Sequence, residues 1–214
     1  MALRLVFFGR QGAGKGTQAK KLCEHYGAPH ISTGDMVRDA VAEGTDFGRK
    51  AKEYLESGQL LPDDIMLGVI EDRLHKADVS EHGFLLDGFP RTVGQAEALL
   101  GFAPIDLAIH LEVPEALVLE RISERRVCKQ CGHIYTSTDS SAVDGSCEIC
   151  GGEVEQREDD TPEAIRTRLE SYSTKTMQAV RWFDDEGLLV TVDGVGTQDE
   201  VFRRLVEAIG ASAA

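Results

Sequence analysis

Leu3-Arg-Leu-Val-Phe-Phe8 runs straight into Gly9-Arg-Gln-Gly-Ala-Gly14-Lys15-Gly16-Thr17, and this junction decides the fold. A short apolar run without polar alternation reads as a strand buried on both faces, as in a parallel sheet. The glycines after it let the backbone turn tightly and aim successive N–H groups at one point. A helix from Lys15 to Tyr26 adds the partial positive charge of its N-terminus. Strand, glycine loop and helix start together form a phosphate cradle, with Gly12, Ala13, Gly14, Lys15, Gly16 and Thr17 as candidate contacts. Lys15 is suited to bridge β- and γ-phosphates, and the Thr17 hydroxyl to serve a phosphate or a Mg²⁺ shell. The general pattern has Ser or Thr directly after the Lys; here Gly16 intervenes.

Outward from the loop, strands and helices alternate. Further strands are expected at Pro29–Ile31, Phe84–Asp87, Asp106–Val113 and Leu188–Val192. Helices are expected at Thr33 or Asp35 to Glu43, Phe47–Glu56, Asp63–Lys76, Thr92–Leu100, Pro114–Arg126, Asp160–Asp185 and after Thr197. Asp160-Thr-Pro-Glu163 has capping-box form. Five such strands imply an α/β fold with a doubly wound parallel sheet. Val127–Asp160 breaks the pattern and reads as an inserted minidomain.

That insertion holds Cys128, Cys131, Cys147 and Cys150 as C-x2-C-x15-C-x2-C. In a reducing compartment this spacing reads as a tetrathiolate metal site before it reads as disulfides. Four protein ligands leave no open position, so the site is structural, and both zinc and iron suit tetrahedral sulfur. His133 is a weaker candidate ligand, and Cys23 reads as a small core residue.

The 214 residues carry 37 Asp+Glu against 23 Lys+Arg, a formal charge of −14. Such a balance argues against a protein that coats a nucleic acid, which needs a basic face. No run approaches the ~18 apolar residues of a membrane span, and the first residues lack a signal-peptide pattern. A cytoplasmic protein with neither nucleic-acid nor membrane partner is expected.

Four separated motifs resemble the adenylate kinases, in order and spacing, over essentially the whole chain. They are the loop with Gly16-Thr17 after Lys15, Ile31-Ser-Thr-Gly-Asp-Met36 with Arg38, Leu86-Asp-Gly-Phe-Pro-Arg91-Thr92, and Arg125-Arg126 with Arg157-x-Asp-Asp160 and Arg166-x-Arg168. The resemblance implies the P-loop nucleoside monophosphate kinase fold, a five-stranded parallel sheet with an inserted zinc-ribbon-like lid. Its core would be residues 1–31, 62–123 and 161–214, its AMP-binding segment 32–61 and its lid 124–160.

The same resemblance implies the reaction MgATP + AMP to two ADP by a monomer, with Mg²⁺ bound with ATP. Thr33, Gln95 and the backbone at Gln59, Leu60 and Leu61 would meet adenine. Gly34, Arg38, Gly88, Phe89, Pro90 and Arg91, with Arg157 and Arg168, would complete the AMP site. Arg121, Ile134, Tyr135 and Gly196 would join the phosphate loop on ATP, and Arg125, Arg157 and Arg168 would reach the transferring phosphoryl group. Arginine suits these places because its planar fork binds two phosphate oxygens and stays charged. Asp87, at a strand end, would hold the Mg²⁺ water shell, or else cap a turn. Asp159 and Asp160 would position the arginines or hinge the lid. Gln11 and Gly94 stand where the family commonly has Pro. A UMP or CMP kinase is the nearest alternative; a zinc-ribbon NTPase on nucleic acid and a regulator without turnover stand further off.

Overall fold

The computed structural model describes residues 2–212; Met1, Ala213 and Ala214, which the expected core segments include, lie outside the described residues. Strands β1 (Leu3–Phe8), β2 (His30–Ser32), β3 (Gly83–Asp87), β4 (Leu107–Glu112) and β8 (Leu189–Asp193) form one sheet in the order β2-β3-β1-β4-β8. All four pairings in it are parallel.

The sheet is buried on both faces, as the unbroken apolar runs require. Val6, Phe8, Phe84, Leu86 and Ala108 face one core cluster, while Leu5, Phe7, Leu85, Leu107 and Ile109 face the other. This is the two-residue period of a strand with both sides apolar. Helices α1 (Lys15–Tyr26), α2 (Thr33–Ala42), α3 (Asp46–Ser57), α4 (Asp63–Leu74), α5 (Ala77–His82) and α6 (Val93–Phe102) lie in the first half of the chain. After β4 come α7 (Glu115–Glu124), α9 (Pro162–Ser171), α10 (Met177–Asp185) and, after β8, α11 (Gln198–Ser212).

Between α7 and α9 a separate antiparallel sheet is built from β5 (Arg125–Cys128), β6 (Ile134–Thr136) and β7 (Val154–Glu155), ordered β6-β5-β7, with the short α8 (Ser140–Asp144). Its core is small: Cys128, Tyr135, Cys147 and Val154 with Ala142 against them.

Several local expectations shift. Ser32, rather than Thr33 or Asp35, caps α2, its hydroxyl accepting from the Asp35 N–H at 3.3 Å. Thr161, rather than Asp160, caps α9 by accepting from Ala164 N–H at 3.2 Å, with Pro162 at the first helical position. Asp160 is free of the cap because arginines claim it. The helix expected over 160–185 is interrupted by a π-helical turn, Tyr172–Thr176, whose end residues are buried against the cleft. Such turns insert a residue into the helical ladder and recur at functional sites. Helix α5 and the minidomain's strands were not foreseen. They are too short for periodicity to show.

Candidate active site

The C-terminal ends of β1 and β3 lie side by side, with Phe7 paired to Asp87, which brings the glycine loop and the Asp87-Gly-Phe-Pro-Arg91 turn together. Strand C-termini of open parallel sheets are where ligands settle. A cleft of about 450 Å³ opens there.

Within the loop, the Ala13 N–H donates to the Arg10 carbonyl at 3.1 Å, and Gly12 sits at φ 80°. This is a type II turn with Gln11 at the position proline favours. A Cβ on Gly12 would stand 2.6 Å from Ile122 Cγ1 and 2.8 Å from the Val118 carbonyl oxygen, so space and dihedral both demand glycine. Gly14, at φ 96°, begins α1 without a side-chain cap, leaving its first N–H groups for an anion. Lys15 folds back on the loop, donating to the carbonyls of Gly9 at 2.8 Å and Arg10 at 3.2 Å. Burial pulls its pKa down against the attraction of Asp87. Arg121 donates to the Ala13 carbonyl at 3.2 Å and reaches the Gly194 carbonyl at 3.5 Å, tying the loop to the turn that carries Gly196. Gly16 and Thr17 line the same cleft.

Across the cleft stand the arginines. Arg91 donates to the Gly88 carbonyl at 2.6 Å, and its pKa is drawn down to about 10 by burial first and then by Arg168, with Arg38 adding to it. Arg157, lacking an ion-pair partner among the described residues, is likewise drawn to about 10 by burial, Arg38 and Arg125. Both remain charged at neutral pH. Arg125 grips Asp160 with Nε at 3.0 Å and Nη2 at 2.5 and 2.6 Å, while Arg168 donates to the Asp159 carboxylate at 2.6 Å and to the Leu55 carbonyl at 3.0 Å. Arg38 pairs with Asp35 and lies 3.7 Å from Asp159. Burial pushes the Asp159 carboxyl up, but Arg168 and Arg38 outweigh it and hold it low.

Eight cations (Lys15, Lys20, Arg38, Arg91, Arg121, Arg125, Arg157 and Arg168) line this cleft, and the carboxylates beside them are Asp35, Asp87, Glu124, Asp159 and Asp160. The surplus positive charge, partly removed from water, makes the cleft a receptor for polyanions.

Asp87 is buried. Burial pushes its carboxyl up, while His30 beside it and Lys15 bring it below the usual range. His30 Nε2 stands 3.6 Å from Asp87 Oδ2. His30 carries no signal in the sequence beyond its place as the first residue of β2, two residues before Ser32, which pairs with Asp87.

Thr33, Gly34, Gln59, Leu60, Leu61, Gly88, Phe89 and Pro90 all line the cleft. The Thr33 hydroxyl donates to the Asp87 carbonyl at 3.3 Å. Gln95 also lines it, with its amide engaged: Nε2 donates to Asp63 at 2.7 Å and Oε1 accepts from the Arg91 N–H at 2.7 Å. Asp63, which also accepts from the Thr92 hydroxyl at 2.7 Å, carries no sequence signal. Gly94 sits in ordinary helical space beside it, with the nearest atom, Asp63 Oδ2, 3.8 Å from where a Cβ would stand.

The minidomain rests on the start of α1. Lys20 Nζ donates to the Gly132 carbonyl at 3.0 Å, and a Cβ at Gly16 would meet Ile134 Cδ1 at 3.8 Å. Ile134 and Tyr135 both line the cleft. The Tyr135 ring is nonetheless buried in the minidomain, its hydroxyl 3.1 Å from Cys147 Sγ. The sulfurs of Cys128, Cys131, Cys147 and Cys150 all lie within 4.8 Å of one another, with pairs at 3.5 and 3.6 Å. A tetrahedron of thiolates at Zn–S distances of about 2.3 Å has edges of about 3.8 Å, so the donor set fits such an ion. His133 is not in the cluster; its ring packs on Tyr135. The Tyr135 hydroxyl draws the Cys147 thiol down to about 6, toward the thiolate a metal needs. Cys23 is a half-buried thiol packed against the core, which pushes its pKa up to about 12.

The sequence model of the family described as "Adenylate kinase" matches residues 7–188. The chain belongs to the adenylate kinase family. Among its relatives, an adenylate kinase of Thermodesulfovibrio yellowstonii is 48% identical over 209 residues, covering 95% of this chain and 97% of the relative. One of Methanosarcina acetivorans is 47% identical, covering 95% and 96%. One of Archaeoglobus fulgidus is 45% identical over 213 residues, covering 97% of each. Membership makes the chain a phosphotransferase of the nucleoside monophosphate kinase type. No helix among the described residues is long and apolar enough to cross a membrane.

Proposed function

We propose that this chain catalyses the reversible transfer of the γ-phosphoryl group of ATP to AMP, giving two ADP. The observation that carries the reading is the meeting of a phosphate loop with a surplus of half-buried arginines in one cleft of an adenylate kinase chain. An oxygen of the AMP phosphate attacks the γ-phosphorus in line, and the bond to the β,γ-bridging oxygen breaks. Phosphorus passes between two nucleotides and no protein nucleophile is needed.

In this reading Gly12 to Thr17 and Lys15 hold the β- and γ-phosphates, and Arg121 and Gly196 border the ATP side. Arg38 and Arg91 clamp the AMP phosphate. Arg125, Arg157 and Arg168 stabilise the charge spread over the transferring group. Thr33 and the Gln59–Leu61 backbone border the AMP base. Gln95, held by Asp63, braces Arg91 through its N–H and presents only part of its amide to that base. Residues 32–61 act as the AMP-binding segment and 124–160 as a lid that excludes water when closed.

Asp87 and Thr17 would hold the water shell of a Mg²⁺ ion bound with ATP, which supplies charge neutralisation between the phosphates. The lowered pKa of buried Asp87, which His30 and Lys15 bring down against its burial, supports that role. Cys128, Cys131, Cys147 and Cys150 would hold structural Zn²⁺, which supplies folding energy that the small lid core cannot. The free thiols suit a reducing cytoplasm, where the chain would act as a monomer.

The test is ADP formation from ATP plus AMP, against ATP alone and against UMP, CMP and GMP as acceptors. Turnover with AMP at least tenfold above the other acceptors is expected. Equal or faster turnover with UMP or CMP would overturn the adenine assignment.

A further inference from the structure

One hydrogen bond spans 149 positions and joins the phosphate loop to the base of the lid. Gln11 Nε2 donates to Asp160 Oδ1 at 2.9 Å. Asp160 is the carboxylate that Arg125 grips through Nε and Nη2, and its side chain has no exposed surface. With those donors spent on Asp160, Nη1 of Arg125 has no acceptor among the described residues, and Arg125 borders the cleft.

The orientation of that remaining N–H pair follows the orientation of the carboxylate. Arg168 Nη1 stands 3.7 Å from Asp160 Oδ1, beyond hydrogen-bond reach, so without Gln11 the carboxylate is hydrogen-bonded by one guanidinium and can rock with it about the Cβ–Cγ bond. A third donor from a different element stops the rocking. Gln11 is that donor, and it stands on the phosphate loop itself.

We propose that Gln11 is a positioning residue for phosphoryl transfer: its amide locks Asp160, and through it Arg125, in the frame of the loop that holds the phosphates. This rests on the role given above to Arg125. The turn does not need glutamine for its shape, because Gly12 at φ 80° supplies the unusual dihedral and proline would suit position 11 equally well. What glutamine adds is the donor, which proline lacks. The amide's assignment is forced, since the reverse would set its oxygen against the carboxylate. Its Oε1 is buried with no partner among the described residues, a cost that a space-filling residue would not carry.

The test is steady-state kinetics of Gln11→Leu, Gln11→Glu, Arg125→Ala and the double variant Gln11→Leu/Arg125→Ala, with melting temperatures and circular dichroism as folding controls. Gln11→Leu should lower kcat about tenfold while the KM for AMP stays within twofold, because a misaimed transition-state donor costs rate rather than ground-state binding. The double variant should be no slower than Arg125→Ala. Gln11→Glu, with a carboxylate facing Asp160, should be slowest near pH 8 and recover as the pH falls toward 5.5 and its acid form regains a donor, a profile the parent lacks. A merely structural role would move none of these together.

Parent-like kcat in Gln11→Leu, beside a slow Arg125→Ala, overturns the proposal and leaves the role of Arg125 standing. Additive losses in the double variant also overturn it. A parent-like Arg125→Ala overturns the underlying assignment of Arg125 and the proposal with it.

Discussion

Asp160→Ala is the sharpest perturbation of the cleft. In the folded protein its carboxylate accepts from Arg125 at 3.0, 2.5 and 2.6 Å and from Gln11 at 2.9 Å, with Arg168 Nη1 at 3.7 Å. Removing one partner of a buried pair costs about 3–5 kcal/mol, because the other charge is left in place without compensation. Arg125 keeps 11% of its side-chain surface and can draw some water. That water brings the cost just below this range, to about 2–3 kcal/mol. At about 2–4 °C per kcal/mol for a chain of this size, the melting temperature should fall by about 4–12 °C. The assay is calorimetric melting of both proteins with and without saturating ATP. The abandoned arginines remain an anion site, so ATP should raise the melting temperature of the variant by more than it raises the parent's. Asp160→Asn, which keeps one acceptor oxygen, should fall between the two. A melting temperature within 1 °C of the parent would refute the claim that this pair braces the base of the lid.

Lys15→Ala and Arg91→Ala should each lower kcat/KM by at least about 10²-fold with unchanged circular dichroism, since each removes a charge from the phosphate path without touching the core. Near-parent turnover in both would sink the site. Metal chelation should lower the melting temperature more than it lowers activity at low temperature, because the four thiolates stand in a lid whose own core is only a few residues. An unchanged melting point in metal-free protein would count against a structural ion. Asp159 has a folded-state pKa below its reference of 3.8, so its pairing contributes stability above the unfolded value and loses it as pH falls through the folded one. Asp159→Asn should therefore be less stable than the parent at pH 6, begin to converge with it as pH falls past the reference value of 3.8, and meet it only below the folded value. Parallel stability curves from pH 6 to 2 would contradict that linkage.

Much of this was open to reading in the chain, for reasons that are local. Leu3–Phe8 followed by a glycine cluster announces a buried parallel strand and a phosphate loop, because burial and backbone dihedral are properties of adjacent residues. The four cysteines announce their cluster because two short knuckles can each present a pair of sulfurs. Other features stayed hidden. Asp63 looks like any acidic residue at a helix start, and only the packing of α4 against α6 makes it the anchor of Gln95 and Thr92. Asp160 fits a capping box on paper. The structure gives that cap to Thr161, because a buried carboxylate between two arginines has more to gain than one more helix N–H.

What the sequence by itself determined is the inventory: a doubly wound sheet, a cradle for phosphate, a thiolate ribbon and a set of arginines on separate segments. Strand periodicity, glycine dihedrals and ligand spacing act over a few residues, so they survive in the linear text. What only the tertiary structure decided is the wiring among segments far apart in the chain. Arg125 is spoken for by Asp160, Gln11 reaches across from the loop to the same carboxylate, His30 shadows Asp87, and Tyr135 turns inward to a cysteine. Those choices depend on which polar groups become buried together and must then find partners, and burial is settled only when the whole chain has packed.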